Sequence, residues 1–229
     1  MRPDEEPRYS FGEPDDRALR QGHRLVAGVD EVGRGAMAGP LVAAAVILEP
    51  GVELELVDDS KLLTPEQRDE AYEEIRARAT AWAIGVVEAE MVDRLNVWGA
   101  TCLAMRRALE GLSIRPEFTL IDGLEPRGIT HPHQAFVGGD ACSPRMGAAS
   151  ILAKVTRDRA MERLALIHRG YALESNKGYA TPQHKAAVRR LGPSPVHRRR
   201  YWFVTDLRSD HLPFDPEDLA RISQYGSGG

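Results

Sequence analysis

The order of apolar segments along the chain limits the fold more than any other feature. Residues 24–30 and 41–48 are short apolar segments joined by a glycine-rich turn, which predicts a β-hairpin. Later strand-like segments alternate with longer segments in which apolar residues recur at helical spacing. Strands are predicted over 81–88, 118–121 and 134–137, and helices over 64–79, over 91–112 with a break near Asn96, and over 147–168. This order predicts an α/β fold in which helices cover a mixed sheet.

The length of 229 residues suits one domain. Residues 1–22 are polar and contain proline, so we expect a flexible N-terminal arm, then one domain over 23–204 and a partly disordered tail over 205–229. The cysteines, Cys102 and Cys142, fit neither a disulfide framework nor a zinc site. We expect a cytoplasmic protein with no membrane partner, because no apolar leader segment is present and the apolar run at 37–48 is too short to span a bilayer.

Carboxylates follow three of the predicted strands. Asp30 and Glu31 end the first strand, Asp122 follows the segment at 118–121, and Asp140 follows the segment at 134–137. Ligands of α/β sheets usually bind at strand ends, where such groups can converge. Clustered carboxylates repel one another unless a cation lies among them, and oxygen ligands suit Mg²⁺ or Mn²⁺. The alternative is that each carboxylate is a solvated strand end or part of a turn.

Several polar segments could contact a phosphate, a sugar or a base. Glycine-rich backbone, cations near a helix start and an aromatic ring beside a cation all suit such ligands. Each also has a structural alternative, namely a hairpin loop, a polar turn, a solvated helix face or a packed tyrosine. The candidates are Gly33, Arg34 and Gly35; Ser60 and Lys61; Ser150 and Lys154; Lys177 and Tyr179; and Arg198 and Arg199. By contrast, His131, His133, His168 and His184 are interpreted as loop or surface residues.

The net charge of −4 conceals a strong separation of charge. Residues 49–93 hold 13 acids and 4 bases, whereas residues 145–200 hold 13 bases and 3 acids. A phosphate backbone responds to the charge within a Debye length of roughly 8–10 Å rather than to the total. The acidic total therefore does not exclude a nucleic-acid partner, and residues 145–200 are predicted to form a positive, substrate-facing surface.

Taken together and in order, these motifs resemble bacterial ribonuclease HII over about residues 24–204. The motifs are the segments 28–35, 59–61, 120–123, 139–140, 148–158 and 177–179. The resemblance implies an RNase H-like five-stranded mixed sheet with flanking helices and a C-terminal helical extension. It implies hydrolysis of the RNA strand of RNA–DNA hybrids, and incision 5′ of single ribonucleotides in duplex DNA. Two divalent ions, Mn²⁺ or Mg²⁺, would serve this hydrolysis and leave 3′-hydroxyl and 5′-phosphate ends.

The resemblance also assigns roles to individual residues. It makes Asp30, Glu31, Asp122 and Asp140 the catalytic, metal-binding set. It makes the Gly33–Gly35 turn and Tyr179 the reader of the 2′-hydroxyl and of the RNA–DNA junction. Lys61, Ser150 and Lys154 would contact phosphate or support the site. Residues that depart from the family's common pattern are Gly138 and Leu62, at each of which many relatives have lysine.

Related functions remain as alternatives. The sister type, ribonuclease HIII, typically has Gly-Lys-Gly at the turn and a large N-terminal domain, whereas this chain has Gly33-Arg34-Gly35 and only 29 residues before Asp30. Another RNase H-like nuclease, such as a resolvase or transposase core, would share the carboxylates but not the ribose-reading turn. A non-catalytic nucleic-acid binding module would need only the basic segment and the aromatic residues. We expect a monomer in each case.

Overall fold

Five strands form one mixed sheet in the computed structural model, which describes residues 9–52, 54–57, 63–201 and 204–205. The strands are β1 (Val26–Val32), β2 (Leu41–Ile47), β3 (Ala81–Val87), β4 (Phe118–Asp122) and β5 (His133–Phe136). Their order across the sheet is β3-β2-β1-β4-β5. The β1–β2 and β2–β3 pairs are antiparallel, whereas the β1–β4 and β4–β5 pairs are parallel. The predicted hairpin and the predicted mixed sheet are therefore confirmed.

Six helices lie within the described residues. They are α1 (Glu13–Arg20), α2 (Pro65–Arg78), α3 (Ala89–Glu110), α4 (Pro144–Ile167), α5 (Leu173–Asn176) and α6 (Pro182–Leu191), and a 3₁₀ turn lies at Gly139–Ala141. A reciprocal cap starts α2, because Thr64 Oγ1 accepts the Gln67 N–H at 3.2 Å and Gln67 Oε1 accepts the Thr64 N–H at 3.0 Å. The predicted break in α3 is confirmed at Asn96, where φ is 60° and the side-chain oxygen accepts the N–H of Gly99.

The interior strand β2 is buried on both faces, which explains why its sequence is apolar throughout. Its alternate side chains point to opposite sides of the sheet. Val42, Ala44 and Val46 pack with α2 and α4, whereas Leu41 and Ala43 belong to the cluster that packs with α3. The sheet therefore lies between α3 on one face and α2 with α4 on the other.

The position of α4 on the sheet is fixed at Gly28 in β1. A Cβ atom added to this glycine would lie 2.2 Å from the carbonyl carbon of Arg145, near the start of α4. Such an approach is too close for any side chain, so the backbone of α4 can rest directly on β1 only with glycine at this position. Gly28 and Asp30 are two residues apart in β1 and share a face of the sheet. The close packing thus brings the next turns of α4 over Asp30.

The N-terminal segment differs from the flexible arm predicted over residues 1–22. Residues 1–8 lie outside the described part, but Glu13–Arg20 forms helix α1. Arg145 donates to Asp15 Oδ1 at 2.8 Å, and both side chains are buried. The guanidinium also donates to the backbone oxygens of Val26 and Leu48. Composition misled here, because a mostly charged helix can still bury one face through a single paired carboxylate.

The chain after α4 folds back onto the turn between β1 and β2. Met37 and Ala38 from that turn pack with Met161, Leu173 and Val188 in one buried cluster. This packing confirms the expected C-terminal helical extension, although α5 and α6 had not been predicted individually. Apart from Thr205, the predicted tail at 205–229 lies outside the described residues. Within the described residues, no helix combines the length and apolar character needed to cross a membrane.

Candidate metal centre

The register of the parallel strands brings Asp30 and Asp122 together. Val29 in β1 pairs with Ile121 in β4, so the next residue in each strand is an aspartate on the same face of the sheet. Asp140 comes from the 3₁₀ turn that follows β5. Oxygen atoms of the three carboxylates all lie within 4.8 Å of one another. The predicted convergence of these three side chains is therefore present, and we call them the aspartate triad.

Backbone and side-chain donors hold the triad in place. The N–H of Gly139 donates to Asp122 Oδ1 at 2.6 Å, which ties the 3₁₀ turn to the end of β4. The N–H of Glu31 donates to Asp30 Oδ1 at 2.7 Å. The hydroxyl of Ser150, on α4, also hydrogen-bonds Asp30. Ser150, a predicted substrate contact, thus has a direct structural link to the triad.

The electrostatics of the triad favour a bound cation. The pKa of Asp30 is held well above its usual value, first by burial and then by the negative charges of Asp122 and Glu31, with a smaller contribution from Asp140. The hydrogen bond from Ser150 opposes this shift. Three carboxylates that crowd within 4.8 Å are an oxygen-only ligand set of the kind that Mg²⁺ and Mn²⁺ prefer. The residues present therefore fit a divalent metal ion.

Glu31 lies beside the triad but not within it. Its Oε1 accepts from Arg34 Nη1 at 3.1 Å. Burial raises the pKa of Glu31, the neighbouring Arg34 lowers it, and the charge of Asp122 raises it. Since β1 continues to Val32, adjacent Asp30 and Glu31 follow the alternation of a regular strand. Three of the four expected carboxylates therefore converge, and the fourth, Glu31, lies beside them and pairs with Arg34. The role of all four as metal ligands stays a prediction.

Replacing Asp30 with Asn is expected to raise the free energy of unfolding of the metal-free protein near neutral pH, on the order of 1 kcal/mol. The pKa of Asp30 is raised in the folded state, so the folded protein binds more protons than the unfolded chain between the two pKa values. The contribution of Asp30 to wild-type stability therefore falls as pH rises from its unfolded pKa to its folded pKa, and the advantage of the variant grows over the same window. Urea unfolding in chelator across that range measures the difference.

The exposed residue Asp16 provides the matched control for this substitution. Asp16 lies 3.9 Å from Arg20 on the solvent side of α1, so Asp16→Asn should change stability little at any pH. A pH-independent difference between Asp30→Asn and wild type would contradict the repulsion described for the triad.

The Gly33–Gly35 turn combines a buried first glycine with an open end. Gly33 has φ of +95°, and an added Cβ would lie 2.3 Å from Nε of Arg157, so both conformation and packing require glycine. A Cβ added to Gly35 would meet no atom within 4 Å. Arg34 is exposed, and its guanidinium lies 6.0 Å from the centre of the Trp98 ring. The turn therefore presents accessible backbone and one cation to solvent.

A residue that the sequence analysis missed, Arg157, joins this turn to Tyr179. Arg157 is fully buried on α4, and it donates to the backbone oxygens of Pro40, Ala38 and Lys177. Its guanidinium also lies 5.3 Å from the centre of the half-buried Tyr179 ring. The two predicted readers are thus packed against one side chain. The helical spacing of residues in α4 could not predict the burial of Arg157, because the carbonyls that bind it come from distant segments.

Arg198 differs most from the phosphate contact expected of it. It is 2% exposed, and its guanidinium donates to the backbone oxygens of Gly39 and Arg34. The turn between β1 and β2 has few strand partners, so its backbone carbonyls need donors from elsewhere in the chain. Arg198 therefore stabilises the backbone of the Gly33–Gly35 turn by hydrogen bonds from the protein interior. Its neighbour Arg199 is exposed, and its N–H donates to Asp93 at 2.7 Å.

Of the remaining predicted substrate contacts, the two lysines on α4 and after α5 form ion pairs, and the two residues before α2 lie outside the described part of the chain. Lys154 Nζ lies 2.9 Å from Asp158 Oδ1, one helical turn away. Lys177 Nζ lies 2.6 Å from Glu162 Oε1. Ser60 and Lys61 lie outside the described residues. The interpretation of His184 as a loop or surface residue is wrong, because this side chain is fully buried on α6.

Comparisons with known proteins agree with this geometry. The family model for ribonuclease HII matches residues 27–205. The chain is 45% identical over 198 residues to ribonuclease HII of Geobacter sulfurreducens, covering 86% of this chain and 91% of the relative. It is 49% identical over 185 residues to ribonuclease HII of Moorella thermoacetica, covering 81% and 90%. The crystal structure of ribonuclease H2 from Pyrococcus horikoshii superimposes with a TM-score of 0.69 at 26% identity, covering 80% of this chain and 97% of that one.

Proposed function

Because the chain belongs to the ribonuclease HII family, we propose that it is an endoribonuclease that hydrolyses the RNA strand of RNA–DNA hybrids and also incises 5′ of single ribonucleotides in duplex DNA. The observation that carries the proposal is the convergence of Asp30, Asp122 and Asp140 near the carboxyl ends of the parallel strands β1, β4 and β5. The Gly33–Gly35 turn follows directly after β1 ends at Val32, three residues after Asp30. A hydrolytic centre and a sugar-reading surface thus adjoin in one chain, which is consistent with a monomer.

The triad supports metal-assisted phosphodiester hydrolysis. Asp30 and Asp122 would be the main metal ligands, and Asp140 would be a third ligand. Glu31 adds negative charge beside them. When bound, two divalent cations, Mn²⁺ or Mg²⁺, supply positive charge that stabilises the transition state and lowers the pKa of an attacking water. The chain's own contribution is to hold the carboxylates rigidly through the Gly139 amide and the Ser150 hydroxyl. The products would carry 3′-hydroxyl and 5′-phosphate ends.

The surface beside the triad suits recognition of ribose. The 2′-hydroxyl is the group by which a protein distinguishes RNA from DNA, and it both donates and accepts hydrogen bonds. Gly35 leaves room for a sugar to approach the backbone, and Arg34 supplies a donor next to it. The half-buried ring of Tyr179 offers a face on which a sugar or base at the junction can pack. Lys154 and Lys177 would lie along the phosphate path.

The experiment that tests the proposed function compares three labelled duplexes of one sequence: an RNA–DNA hybrid, a DNA duplex with one ribonucleotide, and all-DNA. We expect cleavage of the first two in Mn²⁺ or Mg²⁺, no cleavage in chelator, and an intact all-DNA duplex. Comparable nicking of all-DNA would instead indicate a resolvase-like or transposase-like nuclease. Binding of the hybrid without cleavage in either metal would indicate a non-catalytic binding module.

A further inference from the structure

Two buried histidines connect the segment that carries Tyr179 to the segment after α6. His184 is fully buried and His197 is 1% exposed, and their Nε2 atoms lie 3.1 Å apart. His184 Nδ1 lies 2.9 Å from the backbone oxygen of Tyr179. At the other end, the backbone N–H of Ser194 donates to His197 Nδ1 at 3.0 Å. The four groups form one continuous chain of hydrogen bonds through the protein interior.

The direction of each hydrogen bond follows from its ends. A backbone N–H only donates, so His197 Nδ1 accepts and the proton of this neutral ring is on Nε2. His197 therefore donates to His184 Nε2, which leaves the His184 proton on Nδ1. That proton is donated to the carbonyl of Tyr179, which can only accept. Burial lowers the pKa of His184 and lowers that of His197 to about 4, so both rings are neutral near pH 7.

Backbone hydrogen bonds hold the segment around Tyr179 from several sides, whereas the residue itself is only half-buried. The N–H groups of Met37 and Ala38 bind the carbonyl of Gly178, and the N–H of Thr181 binds the carbonyl of Tyr179 at 2.8 Å. The Tyr179 ring remains half-buried beside Arg157. His184 is the side-chain donor that reaches the Tyr179 backbone from α6, so it orients the peptide from which the ring projects.

We propose that His184, oriented by His197, is a positioning residue that sets the placement of the Tyr179 ring against the sugar or base at an RNA–DNA junction. This inference rests on the proposed function, because it concerns how the same site distinguishes a single ribonucleotide. His184 is too deeply buried to touch the substrate itself. Its contribution is to restrict the Tyr179 peptide to one orientation before the substrate arrives, which reduces the ordering cost of binding.

Two substitutions at one position separate this role from simple packing. In His184→Asn the amide nitrogen lies near the position of Nδ1, so the donor to the Tyr179 carbonyl is kept and the contact with His197 is lost. In His184→Gln the longer amide reaches toward His197, and the donor to Tyr179 is lost. The readout is kcat/KM on the single-ribonucleotide duplex relative to kcat/KM on the continuous hybrid, with thermal unfolding measured in parallel.

We expect His184→Gln to lower this ratio about tenfold, equivalent to about 1.4 kcal/mol, and His184→Asn to restore most of it. Equal effects of both variants on both substrates, in proportion to lost stability, would show a packing role and overturn the proposal. An unchanged ratio in a folded His184→Gln variant would overturn it as well.

A second measurement applies even if neither variant folds. Nitrogen-15 NMR of the histidine rings in the wild-type protein should show His184 protonated on Nδ1 and His197 on Nε2. The opposite tautomers would remove the donor to Tyr179 and overturn the proposal. Failure of the proposed function is recognised separately, because the wild-type protein would then leave both ribonucleotide-containing duplexes uncut, and the positioning role would fall with it.

Discussion

Replacing Asp122 with Asn is expected to lower metal-dependent cleavage of an RNA–DNA hybrid about 1,000-fold, which corresponds to about 4 kcal/mol of transition-state stabilisation. Asn keeps the size of the side chain and an oxygen that can accept the N–H of Gly139, so the 3₁₀ turn should stay in place. What it removes is one negative charge from the aspartate triad. Single-turnover cleavage in Mg²⁺ and in Mn²⁺ measures the effect.

Two controls make the Asp122 result specific. Binding of the hybrid to the variant, measured without metal, should stay within a few fold of wild type, because Asp122 holds the cation rather than the duplex. Asp69→Asn applies the same chemical change to an exposed carboxylate that pairs with Arg159, and it should leave cleavage unchanged. Near-normal turnover of Asp122→Asn in Mn²⁺ would show that the catalytic site lies elsewhere.

Replacing Tyr179 with Ala is expected to lower kcat/KM on a single-ribonucleotide duplex by about 10- to 100-fold. Stacking of a base or sugar on an aromatic ring contributes about 1–3 kcal/mol, and each 1.4 kcal/mol is a factor of ten. The ring lies beside the buried guanidinium of Arg157, and three backbone oxygens hold this guanidinium, so we expect it to stay in place when the ring is removed. The loss should therefore reflect the missing ring rather than a collapsed site.

The variant Tyr179→Phe separates the ring from its hydroxyl. If the ring supplies the contact, Phe retains most of the activity on the single-ribonucleotide duplex and Ala does not. If the hydroxyl binds the sugar, both variants lose activity alike. Kinetics of Tyr179→Ala that match wild type on this substrate would exclude Tyr179 as a reader of the junction.

The sequence predicted the sheet and most of the metal site for local reasons. Apolar segments of strand length, punctuated by glycine, marked all five strands to within a few residues. Asp30 and Asp122 were identified because each lies at the end of a predicted strand, and the parallel pairing of β1 with β4 places the two side chains next to each other. The capping box at Thr64 and the break at Asn96 are likewise determined by neighbouring residues.

The features that were missed depend on contacts between distant segments. Arg198 and Arg157 are buried because carbonyls of the turn after β1 need donors, and no local pattern indicates which arginine provides them. His184 appears in the sequence as a single polar residue on a short helix, and only the fold shows that it contacts His197. Asp15 looks solvated in a charged segment until Arg145 pairs with it. The pairing of Glu31 with Arg34 required the real course of β1 beyond Asp30.

The central claim is that Asp30, Asp122 and Asp140 bind the divalent ions required for hydrolysis. Anomalous X-ray diffraction from crystals of the protein grown with Mn²⁺ tests it most directly. We expect a manganese peak among the three carboxylates, at bonding distance from an oxygen of Asp30 and of Asp122, and we expect the peak to be lost in Asp122→Asn. Manganese bound elsewhere, with none among these three carboxylates in wild-type crystals, would contradict the claim.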